Sequence, residues 1–188
     1  DVVPVAKCPG VDPILSPEMK SSCEVIGVGQ TFGEAYYKAI IGSNDRVPGL
    51  PVENEVKKVF LSVRESDKAN LVPVAKQFAE YGFKLVATSG TQKILTEAGI
   101  ACERINKVNE GRPHIVDAIK NGEIAIVVNT TEGKQAHEDS FSIRRSALQH
   151  KVFNVTTLNA AAAVTQAYKV QLPFDVYKLQ SLHTQTQG

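Results

Sequence analysis

From Val56 onward the sequence repeats one pattern: a short apolar run, a polar turn, then a segment with helical spacing. The runs fall at Val59–Val63, Phe83–Ala87, Ile124–Val128 and Val152–Val155. Each is too short for a core helix and rich in aliphatic residues, which predicts buried strands. A weaker run lies at Ile100–Ile105, and Asp175–Leu179 offers one last edge strand. Helices are predicted from Asp67 to Tyr81, Gly90 to Ala98, Pro113 to Lys120, Gln135 to Leu148 and Leu158 to Tyr168. In the first of these, Leu71, Val74, Ala75 and Phe78 share a face; in the second, Ile94, Leu95 and Ala98 do. Strands that alternate with such helices give a parallel sheet, because each parallel connection needs a crossover, and the crossovers cover both faces. The expected class is α/β, a three-layer Rossmann-like parallel sheet. Ligands of such sheets bind beyond the carboxyl ends of the strands.

Composition narrows the function. Hydrophobic residues make up 43% of the 188, enough for a core, and the formal charge is only +1. That balance gives no general electrostatic case for nucleic acid, so any anion site must be local. No apolar run approaches a bilayer span and no signal peptide is visible, so no membrane is expected. Cys8, Cys23 and Cys102 are odd in number and form no C-x-x-C, which suggests neither a disulfide framework nor a zinc knuckle and points to a reducing compartment. The expected location is cytoplasmic. The chain opens on Asp1 and reads as a piece of a longer protein.

The first 30 residues hold four prolines and three glycines, which favour extended or turning chain, with one strand conceivable at Cys23–Val28. Thr31 and Glu34 form a capping box for a helix ending at Gly42. Gly27-Val28-Gly29 lacks the third glycine of a dinucleotide fingerprint. A polar, proline-containing linker comes next. This leading segment has too little apolar surface for a core of its own. It belongs to a larger neighbouring domain or packs on the later part of the chain.

The strand ends carry the chemistry. After Phe83–Ala87 comes TSGTQKILTEAG, Thr88–Gly99, in which hydroxyls and a glycine lead into a helix that Gly99 stops. Free N–H groups and the helix dipole favour an anion at such a start; the plainer alternative is that Thr88 is only an N-cap. Lys68 follows the first strand, Lys107 the third, Asn129, Thr130 and Thr131 the central one, and Thr156 the next. Gathered on one rim, these groups suit a phosphate on a hydroxyl-rich ligand. Asp67 reads as an N-cap. His137, Glu138 and Asp139 are sequence neighbours that diverge around a helix, so a solvated helix start is preferred to a metal site. Arg144, Arg145 and His150 suit a helix C-terminus, and His114 a helix start. There is no G-x-S-x-G and no Walker pattern.

The segments VFLSVRESDK, ATSGTQKILTEAGI, INKVNEGRPHIVDAIKNGE and VNTTEGKQAHEDSFSIRRSAL resemble the methylglyoxal-synthase-like (MGS-like) domain family. They look most like the regulatory domains of carbamoyl phosphate synthase large subunits. The stretch PGVDPILSPEMKSSCEVIGVGQTFGEAYYKA is similar to the tail of the second ATP-grasp unit of those subunits. The resemblance implies that residues 1–44 are that tail, 45–55 a linker and 56–188 an MGS-like domain. It implies an allosteric module without chemistry of its own, in a ligase that makes carbamoyl phosphate from bicarbonate and glutamine-derived ammonia for pyrimidine and arginine biosynthesis. The parent's ATP, with Mg or Mn, would bind in preceding domains. Implied partners are the nucleotides UMP (inhibitor) and IMP (activator), the rest of the large subunit, the glutaminase small subunit and a second copy.

By the same resemblance, Lys68, Thr88, Thr91 and Lys107 hold the effector phosphate, and Asn129, Thr131 and Ser140 lie near its ribose and base. The ornithine activator pocket of the family uses a tyrosine where this chain has Asn154, with Thr156 two residues on; loss of that aromatic hydroxyl counts against ornithine. The rival reading is a methylglyoxal synthase-like lyase that eliminates phosphate. Its aspartate base would fall in Glu110-Gly111-Arg112-Pro113, where an arginine cannot act as a base at neutral pH.

Overall fold

A computed structural model describes residues 25–43, 47–170 and 178, omitting the side chains of 134–139. The element order is α1 (Phe32–Gly42), β1 (Lys58–Ser62), α2 (Lys68–Glu80), β2 (Lys84–Ala87), α3 (Ser89–Glu97), β3 (Glu103–Arg104), α4 (Ile115–Lys120), β4 (Ile124–Asn129), α5 (Lys134–Gln149), β5 (Phe153–Val155) and α6 (Leu158–Ala167), with 3-10 turns at Glu65–Asp67 and Val108–Glu110. These five strands pair in parallel throughout, in the order β3-β2-β1-β4-β5. The expected edge strand at Asp175–Leu179 lies outside the described residues apart from Lys178.

Alternation along the strands sorts the core into two layers. Val59, Leu61, Leu85, Ala87, Ile126 and Val128 pack against Leu71, Val74, Ala75 and Phe78 of α2, Leu95 of α3 and the alanine-rich α6. Phe60, Val86 and Val127 face the other way, onto Ile115 and Ile119 of α4 and Ile143 and Ala147 of α5. The three-layer α/β class read from the pattern is the class observed.

α1 is no loose tail. A Cβ on Gly33 would stand 2.6 Å from the carbonyl oxygen of Gln166, so α1 and α6 touch backbone to backbone. Tyr36 joins the core, and the Tyr168 hydroxyl donates to Pro48 O at 2.7 Å. Of the two fates allowed for the leading segment, its described part packs on the later part of the chain. Thr31 Oγ1 accepts from Glu34 N at 3.2 Å as expected, but the Glu34 carboxylate reaches Gln30 N at 2.8 Å, one residue ahead of the cap. The Lys38 ammonium, and after it that backbone bond, hold the Glu34 carboxyl below its usual range.

Several local expectations are corrected. β3 spans two residues instead of six, because only Glu103 and Arg104 pair with β2, at the sheet edge. On α3 the buried stripe is Thr91 and Leu95, while Ala98 is exposed. Asp67 makes no cap bond; its carboxylate accepts from Arg64 Nε at 3.0 Å and holds that guanidinium above its usual range. α4 opens at Ile115, after His114 caps it through Nδ1. Arg144 does not serve a helix end: it lies within α5 and is fully buried.

Candidate functional site

The chain leaves β1 towards β2 and returns to the other side of β1 as β4, so the switch in strand order falls between β1 and β4. Parallel sheets open a crevice at such a point, beyond the strand ends. A cavity of about 590 Å³ lies there, within the range of small-molecule sites. Its lining comes from four places: Ser62–Glu65 at the end of β1 and just beyond it, Thr130–Glu132 after β4, Lys107–Asn109 after β3, and Ser140, Ser142 and Ile143 of α5.

The β1 and β4 exits are tied to each other. Thr130 N donates to Ser62 O at 2.9 Å, and Arg64 N donates to Thr130 Oγ1 at 3.0 Å. Ser66 Oγ donates to Glu132 Oε2 at 3.3 Å. These bonds fix the cavity wall without using the side chains of Lys107, Thr131 or Ser140.

Beside the cavity runs a line of hydroxyls. Thr91 is buried in the first turn of α3, and its Oγ1 accepts from Val63 N at 3.3 Å. Thr88 Oγ1 lies 3.5 Å from both Ser62 Oγ and Thr91 Oγ1. Thr88 holds the N-cap position with extended backbone, yet its hydroxyl makes no capping bond. The reading of Thr88 as a plain side-chain cap therefore fails, and the first-turn N–H groups of α3 are not satisfied by it. Lys68 starts α2 and reaches across to α3: its Nζ lies 3.6 Å from where a Cβ on Gly90 would stand. The same ammonium is paired with Glu65. Lys107 is exposed, and its ammonium has no ion-pair partner among the described residues.

Asn129 ends β4 opposite Ser62 in the register. It shares the face of Val127, the side from which Ile143 lines the cavity. The residue is buried, and neither atom of its amide has a hydrogen-bond partner among the described residues. A buried amide left in this state costs about 1–3 kcal/mol, so it calls for a reason beyond packing.

Of the residues named from sequence, Lys107, Thr131 and Ser140 line the cavity itself. Lys68, Thr88 and Thr91 adjoin it through Glu65, Ser62 and Val63. Asn129, Asn154 and Thr156 do not line it: Asn129 is buried behind the wall, Asn154 sits in β5 opposite Val127 with its Oδ1 buried and without a hydrogen-bond partner among the described residues, and Thr156 comes two residues later, half-buried. His114 is absorbed by its helix cap. The side chains of His137, Glu138 and Asp139 lie outside the described set, and no metal-holding cluster occurs among the described residues. Ser62, Val108 and Ile143 line the cavity without standing out in the sequence. Ser62 has a usable signal, a hydroxyl closing an apolar strand at its carboxyl end. Val108 and Ile143 have none, since a lone aliphatic residue reads the same on a cavity wall as in a core.

Residues 70–156 match the family model of the MGS-like domain. The chain is 50% identical over 182 residues to the carbamoyl phosphate synthase large chain of Pseudomonas syringae pv. tomato, covering 97% of this chain and 16% of that one. It is 52% identical over 183 residues to that of Pasteurella multocida, covering 97% and 17%, and 50% identical over 187 residues to that of Xanthomonas campestris pv. campestris, covering 100% and 17%. The chain thus spans about a sixth of the length of these relatives. With the parallel five-stranded sheet, these likenesses show that the chain carries an MGS-like domain and is related, along nearly its whole length, to one stretch of the carbamoyl phosphate synthase large chain.

Proposed function

We propose that this chain is the nucleotide-sensing regulatory part of a carbamoyl phosphate synthase large chain and performs no chemistry of its own. The observation that carries the reading is the convergence of Lys107, Thr131 and Ser140 on one cavity, with Lys68, Thr88 and Thr91 along its edge. Two ammonium groups, two hydroxyls and the start of α3 supply charge and donors for a phosphate. The amide of Asn129 offers a donor and an acceptor, which suits the hydroxyls of a ribose or the amide edge of a base. UMP and IMP are the effectors proposed. Ornithine is not, because Asn154 supplies no aromatic hydroxyl.

In this reading residues 1–44 are the tail of the preceding ATP-grasp unit, 45–55 a linker and 56–188 the sensing domain. The rest of the large chain, the glutaminase small subunit and a second copy are the proposed partners, in the cytoplasm. The parent would use ATP, with Mg or Mn, elsewhere in its length to make carbamoyl phosphate for pyrimidine and arginine biosynthesis. No helix among the described residues is long and apolar enough to cross a membrane. Effector and substrates of the parent would bias a shared pair of arrangements and so alter each other's binding by the same factor.

Calorimetric titration of the chain with UMP, IMP and ornithine tests this. Binding of a nucleotide, weakened about tenfold by Lys107→Ala through loss of a charged hydrogen bond, is the expected result. Equal affinity in the variant would reject the site. Methylglyoxal formed from dihydroxyacetone phosphate by the purified chain would reject the non-catalytic role.

A further inference from the structure

The two lysines proposed to hold the phosphate differ in what they already hold. Lys107 has no ion-pair partner among the described residues, whereas the Lys68 ammonium carries the carboxylate of Glu65. Glu65 is itself part of the cavity wall, and its side chain is 85% exposed against 20% for Lys68. The pairing is local, between the first residue of the 3-10 turn and the first residue of α2, three positions apart. The ammonium it engages is the one set over the first turn of α3, beside Gly90.

We propose that Glu65 is a built-in competitor: a carboxylate that occupies Lys68 and must be displaced by the phosphate of an incoming ligand. The inference rests on the effector-site reading and adds to it a group that governs affinity and selectivity. A dianionic phosphate makes more charge-assisted bonds than one carboxylate oxygen and can win Lys68; a ligand with a single weak negative charge cannot. Because Glu65 is so exposed, its hold on Lys68 is worth little and is screened by salt, so displacement stays within reach of an ordinary nucleotide. Glu65 thereby lowers, by the same factor, the affinity for every anion that has to take Lys68 from it, and leaves untouched an anion that binds without Lys68.

The test is a double-substitution cycle in the 188-residue chain, with UMP and inorganic phosphate as probes, read by calorimetry at low salt. Glu65→Gln is expected to tighten UMP binding about two- to fivefold, the scale of one exposed ion pair, with a gain of the same kind for inorganic phosphate. In the Lys68→Ala background the same change should gain nothing, since the competed group is gone. Two results overturn the proposal: an unchanged or weaker affinity in Glu65→Gln, or a gain that persists without Lys68, which would make Glu65 a general repulsive charge. Glu132→Gln removes a second carboxylate from the same wall while keeping an amide oxygen that can still accept from Ser66, and so measures that general effect. The outcomes separate from failure of the parent reading: if UMP binds and Lys107→Ala weakens it while Glu65→Gln does nothing, only this proposal falls. If no probe binds the unaltered chain, both fall.

Discussion

Asn129 is badly placed for stability, and the proposed ribose or base contact would give it a use. Its amide is buried with no partner for either atom among the described residues. Asn129→Leu keeps roughly the same volume and removes the unpaired amide. It is expected to leave stability unchanged or raise it by about 1 kcal/mol, while weakening UMP binding about tenfold. Urea denaturation alongside calorimetry checks both; a large loss of stability would mean that the amide is satisfied in the folded chain. Cys102 makes a second prediction at this scale. Burial is the larger cause, and Glu103 a smaller one, in pushing its thiol up to about 11 from an ordinary 9.0. Alkylation at pH 8 should therefore be slower than for a free thiol by about tenfold or more, measured by peptide mass mapping that separates it from Cys8 and Cys23. The sign for stability comes from the same shift: between pH 9 and 11 the folded chain keeps a proton that the unfolded chain releases, so stability falls as pH rises through that window. Residue identity and strand order together make the rim legible in the sequence. The burial of Asn129 and Arg144 is not, because it depends on how α5 lies against the sheet.

Among the elements, the junction of α1 and α6 is the most exacting. Alanine at Gly33 would drive a Cβ into the Gln166 carbonyl, and alanine at Gly27 would put one 1.9 Å from Ala35 O. Backbone cannot yield there as a flexible side chain would, so Gly33→Ala is expected to cost about 1–3 kcal/mol in a urea melt. A neutral result would show that α1 does not seat on α6. The pattern Gly27-Val28-Gly29 thus has a packing reason, which a search for phosphate loops could not supply. α2 is fully legible, since Leu71, Val74, Ala75 and Phe78 are its buried residues. β3 is not: the run reads as extended over six residues, but at the sheet edge only Glu103 and Arg104 pair in register with β2, opposite Val86 and Ala87. The side chain of Asp67 misleads for a related reason. An Asp at a helix start caps only if no nearer cation claims it, and Arg64 does.

For the whole molecule, a net charge of +1 forces any anion recognition to be made by arrangement, not by a general field. The arrangement comes from topology: strand order places the exits of β1 and β4 side by side, and the loops after them carry the polar groups. What the sequence could not convey is the counter-charge within the site, because the pairing of Lys68 with Glu65 and of Arg64 with Asp67 depends on a 3-10 turn that no periodicity announces. The same topology bears on how a signal would leave the domain. α1 leads in from the preceding sequence and seats on α6, on the layer opposite α4 and α5, so the proposed effector at the cavity would have to act across the sheet. The most direct measurement is calorimetric titration of UMP into the unaltered chain, Lys68→Ala and Lys107→Ala under one low-salt condition. One UMP per chain and a loss of about tenfold in each variant are expected, with folding unchanged by circular dichroism. UMP that binds all three chains equally, or none of them, would contradict the proposed site.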